Sequence, residues 1–159
     1  MPYSKMDCVI SAPDAGMVIA VAAFAAEPER LFKAMTDGVE IGRWWGGRRG
    51  GSSVAWTGTP DPGAPWRAEG LFPCNRRFSA SGVFLQVEPA RRIVQSWFAS
   101  WDGLSGTEAS LRFEPMQDGT VLSLVHSGFG GREQACQAQA QIWWKVIKWL
   151  RAYLLDGGA

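Results

Sequence analysis

The sequence predicts an α+β domain in which a curved antiparallel sheet of about seven strands wraps around one long C-terminal helix, with two short helices after the first strand. Three observations predict it. From Ser53 to Gly128 short runs alternate apolar and polar residues at period two and are separated by turn dipeptides, the pattern of antiparallel strands with one buried face. From about Gly131 onward apolar residues recur at steps of three and four, as on a helix buried along one side. The length of 159 residues suits one domain around one core.

Residues 1–16 read as a loose leader and residues 17–159 as the single domain. Met17 to Phe24 is short, apolar and bounded by segments containing Gly and Pro, which makes it a buried strand. Glu27-Pro28-Glu29 opens a helix, because Pro is tolerated in the first turn and acids suit the positive end of the helix dipole. Leu31, Phe32 and Met35 give that helix an apolar face, and Gly38 stops it. A second helical turn, Val39 to Trp45, runs into Gly46-Gly47-Arg48-Arg49-Gly50-Gly51, a segment too rich in glycine for regular structure and read as a hinge or lid.

Six strands follow at 53–57, 66–72, 78–88, 92–101, 107–115 and 120–128. Pro62-Gly63, Pro89-Ala90, Asp102-Gly103 and Asp118-Gly119 supply connections of types that turns favour. Alternation puts Ile93, Gln95, Trp97, Ala99 and Trp101 on one side, and Leu122, Leu124 and His126 likewise on one side. Gly70 and Gly82 stand mid-strand, where they permit bulges and strong curvature. The closing helix of about 25 residues carries a continuous stripe of Cys136, Ala140, Trp143, Ile147, Leu150 and Leu154, opposed by Lys145 and Lys148. A second flank of Ile142, Val146, Trp149 and Tyr153 widens the apolar surface beyond one sheet contact, which makes it a face for a second copy in a homodimer.

Composition narrows the function classes. Nine tryptophans stand beside a single histidine, and a domain of this size rarely needs nine indoles for packing alone; their distribution suggests the lining of an apolar cavity. A formal charge of +1, with only Arg43, Arg48 and Arg49 clustered, argues against nucleic acid. Cys8, Cys74 and Cys136 are far apart, so neither a disulfide framework nor a zinc spacing occurs, and no metal or cofactor is expected. The N-terminus lacks the basic start and apolar run of a signal peptide, and no stretch of about 18 apolar residues could span a bilayer. The expectation is a cytoplasmic protein without stable membrane insertion.

Several stretches resemble one family. They are Pro28-Glu29-Arg30-Leu31-Phe32-Lys33-Ala34-Met35-Thr36-Asp37 with Arg43-Trp44-Trp45-Gly46; Pro62-Gly63-Ala64-Pro65-Trp66-Arg67; Gly82 to Pro89 with Arg92-Ile93-Val94-Gln95-Ser96-Trp97; and Gly119-Thr120 with His126-Ser127-Gly128-Phe129. In this order, over about residues 17 to 155, the chain resembles the branch named after the activator of Hsp90 ATPase, within the START-like (SRPBCC) superfamily. The resemblance implies the helix-grip fold, with a cavity between the sheet and the last helix. It identifies a fold far better than an activity, since superfamily members bind sterols, lipids, polyketides and hormones and only some catalyse. The family often has a Gly-Trp pair on the last helix; here Ile142 precedes Trp143, which moves the helix off the sheet or narrows the cavity.

The candidate ligand-binding residues are Trp44, Trp45, Trp66, Phe84, Gln95, Trp97, Trp101, His126, Phe129 and Trp143. For Trp44 and Trp45 the bland reading is that one of them plugs the core beneath the second helix; the functional reading is that the other, on the Gly46–Gly51 hinge, contacts the ligand. Trp66, Phe84, Trp97 and Trp101 face Trp143 across the sheet–helix interface, where the bland alternative is a filled core without a pocket. His126, Gln95 and Arg67 would set orientation. The reading is a protein that binds a small hydrophobic or aromatic molecule, lipid-like or polyketide-like. The alternative is an enzyme for cyclisation, dehydration or hydrolysis of such a molecule, with His126 as acid and base and Asp102, Glu108 or Glu69 as its carboxylate partner. Ser127 has no nucleophile-elbow context. Regulation of a chaperone is a third class that the family name implies. The resemblance covers only the domain that the eukaryotic activator carries at its C-terminal end, which argues against it.

Overall fold

The chain pairs eight strands into one antiparallel sheet. In the computed structural model, which describes residues 9–47, 53–72, 75–103 and 106–157, the strands are β1 (Val9–Asp14), β2 (Met17–Phe24), β3 (Ser53–Gly58), β4 (Pro65–Leu71), β5 (Arg77–Glu88), β6 (Arg92–Ala99), β7 (Thr107–Met116) and β8 (Gly119–Ser127). Three helices complete it: α1 (Pro28–Thr36) and α2 (Gly38–Trp44) between β2 and β3, and α3 (Glu133–Leu155) at the end. The sheet order is β1-β2-β8-β7-β6-β5-β4-β3. After β2 the helices carry the chain to the far edge, and a meander from β3 to β8 brings it back to pair with β2.

The sheet has one strand more than the sequence predicts. Val9–Asp14 pairs with β2 along its whole length, from Val9 opposite Ala22 to Asp14 opposite Met17, so residues 9–14 of the expected leader are an edge strand. Its pattern gave little signal, because only Val9 and Ser11 are even half-buried. The turn is Ala15-Gly16, both with positive φ (50° and 79°), which suits a two-residue hairpin but places alanine where Asn or Gly is usual. Pro13 is tolerated because β1 lies at the edge of the sheet.

Local sequence explains the other elements. Pro28 and Glu29 begin α1, and the Asp37 carboxylate accepts from the backbone N–H groups of Val39 (2.9 Å) and Glu40 (3.4 Å) to cap α2, a contact that typically stabilises a helix start by about 1 kcal/mol. Curvature is concentrated in β5. One extra residue between the pairs Phe84–Gln95 and Gln86–Val94 makes a bulge, which bends the strand and increases its twist. Two residues before Phe84, a Cβ at Gly82 would stand 1.8 Å from the Ser96 carbonyl oxygen. Only glycine fits there, and the space lets the Trp66 indole donate to that same oxygen at 3.1 Å.

The expected strand 92–101 stops earlier. β6 ends at Ala99, and Ser100–Asp102 turn as a 3-10 helix closed by Gly103 at φ 80°. Trp101 therefore leaves the sheet ladder.

α3 packs across the concave side of β1 and β2. Ser11 Oγ donates to the Ala140 carbonyl at 2.7 Å, and the Cys136 thiol reaches the Met17 carbonyl at 3.4 Å. Cys136, Ala140, Trp143, Ile147 and Leu150 are buried as the stripe requires, each large side chain contributing about 1.5–3 kcal/mol. The second flank does not face outward. Val146 and Tyr153 are buried, Trp149 stacks on Trp45 with centroids 5.4 Å apart, and Ile142 and Val146 line an internal cavity. The flank that suggested a second copy is thus covered within the chain, by α2 and the cavity.

A polar tie joins all three helices. Glu40 is 6% exposed, receives Arg30 at 2.7 Å and accepts from the Tyr153 hydroxyl at 2.7 Å. Burial works to raise the Glu40 pKa, but the bonds from Arg30 and Tyr153 and the Arg30 charge hold it below its ordinary value. Among the described residues no helix is long and apolar enough to cross a membrane.

Candidate functional site

Alternation along the inner face of the sheet sends Trp66 (β4), Phe84 (β5), and Gln95 and Trp97 (β6) toward α3, which answers with Trp143. These residues, with Trp44 and Trp45 from the end of α2 and Trp101 from the 3-10 turn, surround one cavity of about 80 Å³. The rings form a wall. Trp97 lies between Trp66 and Trp143, with centroids 4.8 and 5.5 Å away, and Phe78 lies between Trp45 and Trp101 at 5.7 and 6.0 Å. Such tilted pairs each contribute about 0.5–1.5 kcal/mol beyond their buried area.

The two adjacent tryptophans are placed differently. Trp44 is 4% exposed and donates to the Ala34 carbonyl at 2.9 Å, locking α2 onto α1. Trp45 is half-buried and caps the cavity between Phe78 and Trp149. The segment 48–52, which holds Arg48 and Arg49 of the expected lid, lies outside the described residues, as do Cys8 and Cys74.

No charged side chain lines the cavity among the described residues. Its polar groups are indole N–H groups and the amides of Gln95 and Gln139. Gln139 is fully buried, and its Oε1 accepts from Trp101 Nε1 at 2.9 Å. Because an indole N–H only donates, this bond fixes which way the amide points and leaves Nε2 facing elsewhere. That nitrogen has no hydrogen-bond partner among the described residues, and neither have the buried Nε1 atoms of Trp45 and Trp97.

His126 and Phe129 lie outside the lining. His126 is fully buried behind Trp97, with the two rings 5.2 Å apart, and stacks on Phe129 at 5.0 Å. Both its nitrogens are engaged. Trp143 Nε1 donates to Nδ1 at 3.0 Å, which makes Nδ1 the bare nitrogen and Nε2 the protonated one. Nε2 then donates to Thr107 Oγ1 at 2.7 Å, and that hydroxyl turns toward the Trp97 carbonyl at 3.4 Å. Burial pushes the His126 pKa down to about 3, so the ring stays neutral and bonded at ordinary pH. It locks α3 to β7 and β8 and has no free nitrogen for proton transfer.

Two more expectations need correction. Arg67 is exposed and paired with Glu69, so it does not orient anything in the cavity. Of the carboxylates weighed as partners for His126, Glu69 is held by Arg67 and Glu108 is exposed; the Asp102 side chain lies outside the described residues. Of the lining residues outside the expected set, which include Trp56 and Phe78, Gln139 is the one with an amide. Its signal was a polar side chain between Cys136 and Trp143 at helical spacing, on a stripe that is otherwise apolar.

Comparison with known proteins agrees with this fold. A family model described as activator of Hsp90 ATPase homolog 1-like protein matches residues 25–155. Among solved structures, a protein of Rhodobacter sphaeroides superimposes with a TM-score of 0.80 at 22% identity, covering 94% of this chain and 99% of that one. The AHSA1 protein of Silicibacter pomeroyi gives 0.74 at 23% identity, with 89% and 99% covered. CalU16 of Micromonospora echinospora gives 0.67 at 22%, with 93% and 84% covered. At these identities the likeness establishes the fold, a helix-grip sheet and C-terminal helix, and nothing finer. No curated protein matches the chain.

Proposed function

The chain belongs to the family of activator of Hsp90 ATPase homolog 1-like proteins, and on that premise we propose that it binds a small hydrophobic or aromatic molecule between the sheet and α3. The observation that carries this reading is the aromatic cavity itself, with walls from α2, β4, β5, β6 and α3. Binding there draws on apolar burial at about 25 cal/mol per Å², and the indole faces favour a flat, ring-containing molecule.

The cavity is narrow. Pockets for drug-sized ligands measure about 300–1,000 Å³, whereas this one measures about 80 Å³, and the Ile142 side chain takes up part of its lining. A ligand larger than a single small ring therefore displaces part of the wall. Trp45 is the side chain placed to move, since it is half-buried, follows the end of α2 and has no bond at Nε1. Catalysis through His126 finds no support, because the ring is bonded at both nitrogens and neutral.

Native mass spectrometry of freshly purified protein, with organic extraction of the same sample, tests the proposal. The expected result is a co-purified hydrophobic mass that dissociates at raised collision energy. Bare polypeptide, unchanged after incubation with a mixture of small aromatic compounds, would contradict it. The same spectrum counts subunits.

A further inference from the structure

The buried polar atoms of the lining that lack a partner are all donors. Trp45 Nε1, Trp97 Nε1 and Gln139 Nε2 are buried donors without a partner among the described residues, and all three residues line the cavity. Gln139 is fully buried, and its Oε1 accepts from Trp101, which leaves Nε2 as the unpartnered atom. A buried donor left without an acceptor carries the whole cost of its desolvation. Three of them around one apolar space make it a site short of acceptors.

We infer that the cavity selects neutral molecules that present hydrogen-bond acceptors, carbonyl or ether oxygens on an aromatic or alicyclic frame, over both plain hydrocarbons and carboxylate anions. This rests on the binding reading above and names the ligand class within it. The acceptor preference follows from the donors. The preference against anions follows from the lining, where no Lys or Arg stands among the described residues, so a carboxylate would be buried against indole faces without a counter-charge. Fatty-acid anions are disfavoured on that ground. A molecule rich in hydroxyl donors gains less than a ketone of the same size, since it brings more of what the site already has.

A matched set of probes tests this on the unaltered protein: 1-indanone, indane, and indane-1-carboxylate at neutral pH, by calorimetry, with the side-chain N–H resonances of Gln139, Trp45 and Trp97 followed by NMR. The ketone should bind at least tenfold more tightly than indane, and the carboxylate more weakly than either. One or more of the three N–H resonances should move downfield with the ketone and not with indane. Equal affinity for ketone and hydrocarbon, or tightest binding of the carboxylate, overturns the inference and leaves the cavity reading standing. No binding of any probe at millimolar concentration overturns both.

Discussion

Replacing His126 with glutamine makes the buried histidine visible in the pH dependence of stability. In the folded chain Trp143 donates to Nδ1 and Nε2 donates to Thr107, and burial lowers the pKa from 6.5 to about 3. A base whose pKa is depressed by folding binds its proton only in the unfolded chain across that window. Stability is therefore unaffected above pH 6.5 and is lost as the pH falls toward 3, by about 1.4 kcal/mol per pH unit. Between pH 7.5 and pH 5 the loss is about 2 kcal/mol, a large part of the 5–15 kcal/mol typical of a domain. The window is unusually clean. This is the only histidine in the chain, and Glu40, whose folded pKa is lowered, loses its contribution only below the ordinary carboxylate range, as pH falls through that lowered value. In His126→Gln the amide oxygen accepts from Trp143, the NH2 group donates to Thr107, and nothing titrates. Urea unfolding followed by tryptophan fluorescence should find the variant less stable at pH 7.5 by about 1–3 kcal/mol, with the gap to wild type closing by about 2 kcal/mol at pH 5. A gap that stays constant would mean that His126 takes its proton freely in the folded state, and the bonded, neutral ring would be refuted.

Gly82→Ala forces a Cβ to within 1.8 Å of the Ser96 carbonyl oxygen and should lower stability by about 3 kcal/mol or more; a melting temperature within a degree of wild type would contradict the close approach. Tyr153→Phe removes one bond to Glu40 while Arg30 remains, so denaturation at pH 7 should find a loss of about 1 kcal/mol. Trp45→Ala takes away a half-buried wall of the cavity. It should cost about 1–3 kcal/mol and raise the affinity for indane measured by calorimetry, and weaker indane binding would contradict Trp45 as the side chain that limits access.

Where periodicity was strong the sequence could be read directly. Six strands after Ser53 and the α3 stripe follow from alternation and from steps of three and four, since each has one face that must be buried. β1 was illegible because an edge strand with a mostly exposed surface has no face to pattern, and an Ala-Gly turn carries a weak signal. Alternation gives Trp101 the inward side as a strand residue, whereas a 3-10 turn brings it to the cavity. Eight of the ten candidate site residues do surround one space. His126 and Phe129 do not, because alternation gives a face and not a depth: His126 faces inward from β8 but lies behind Trp97 and Trp143. Hydrogen bonding between distant elements, as in Trp101 to Gln139 or Trp143 to His126, leaves no periodic trace at all.

The central claim is that the space enclosed by Trp66, Trp97 and Trp143 receives a small apolar molecule. The most direct test is a two-dimensional NMR titration with 1-indanone that follows the indole N–H resonances of the nine tryptophans. The account predicts saturable shifts at Trp45, Trp66, Trp97, Trp101 and Trp143, which line the cavity, with Trp144, exposed on the outer side of α3, unmoved. Shifts confined to Trp144, or none at millimolar 1-indanone, would contradict it.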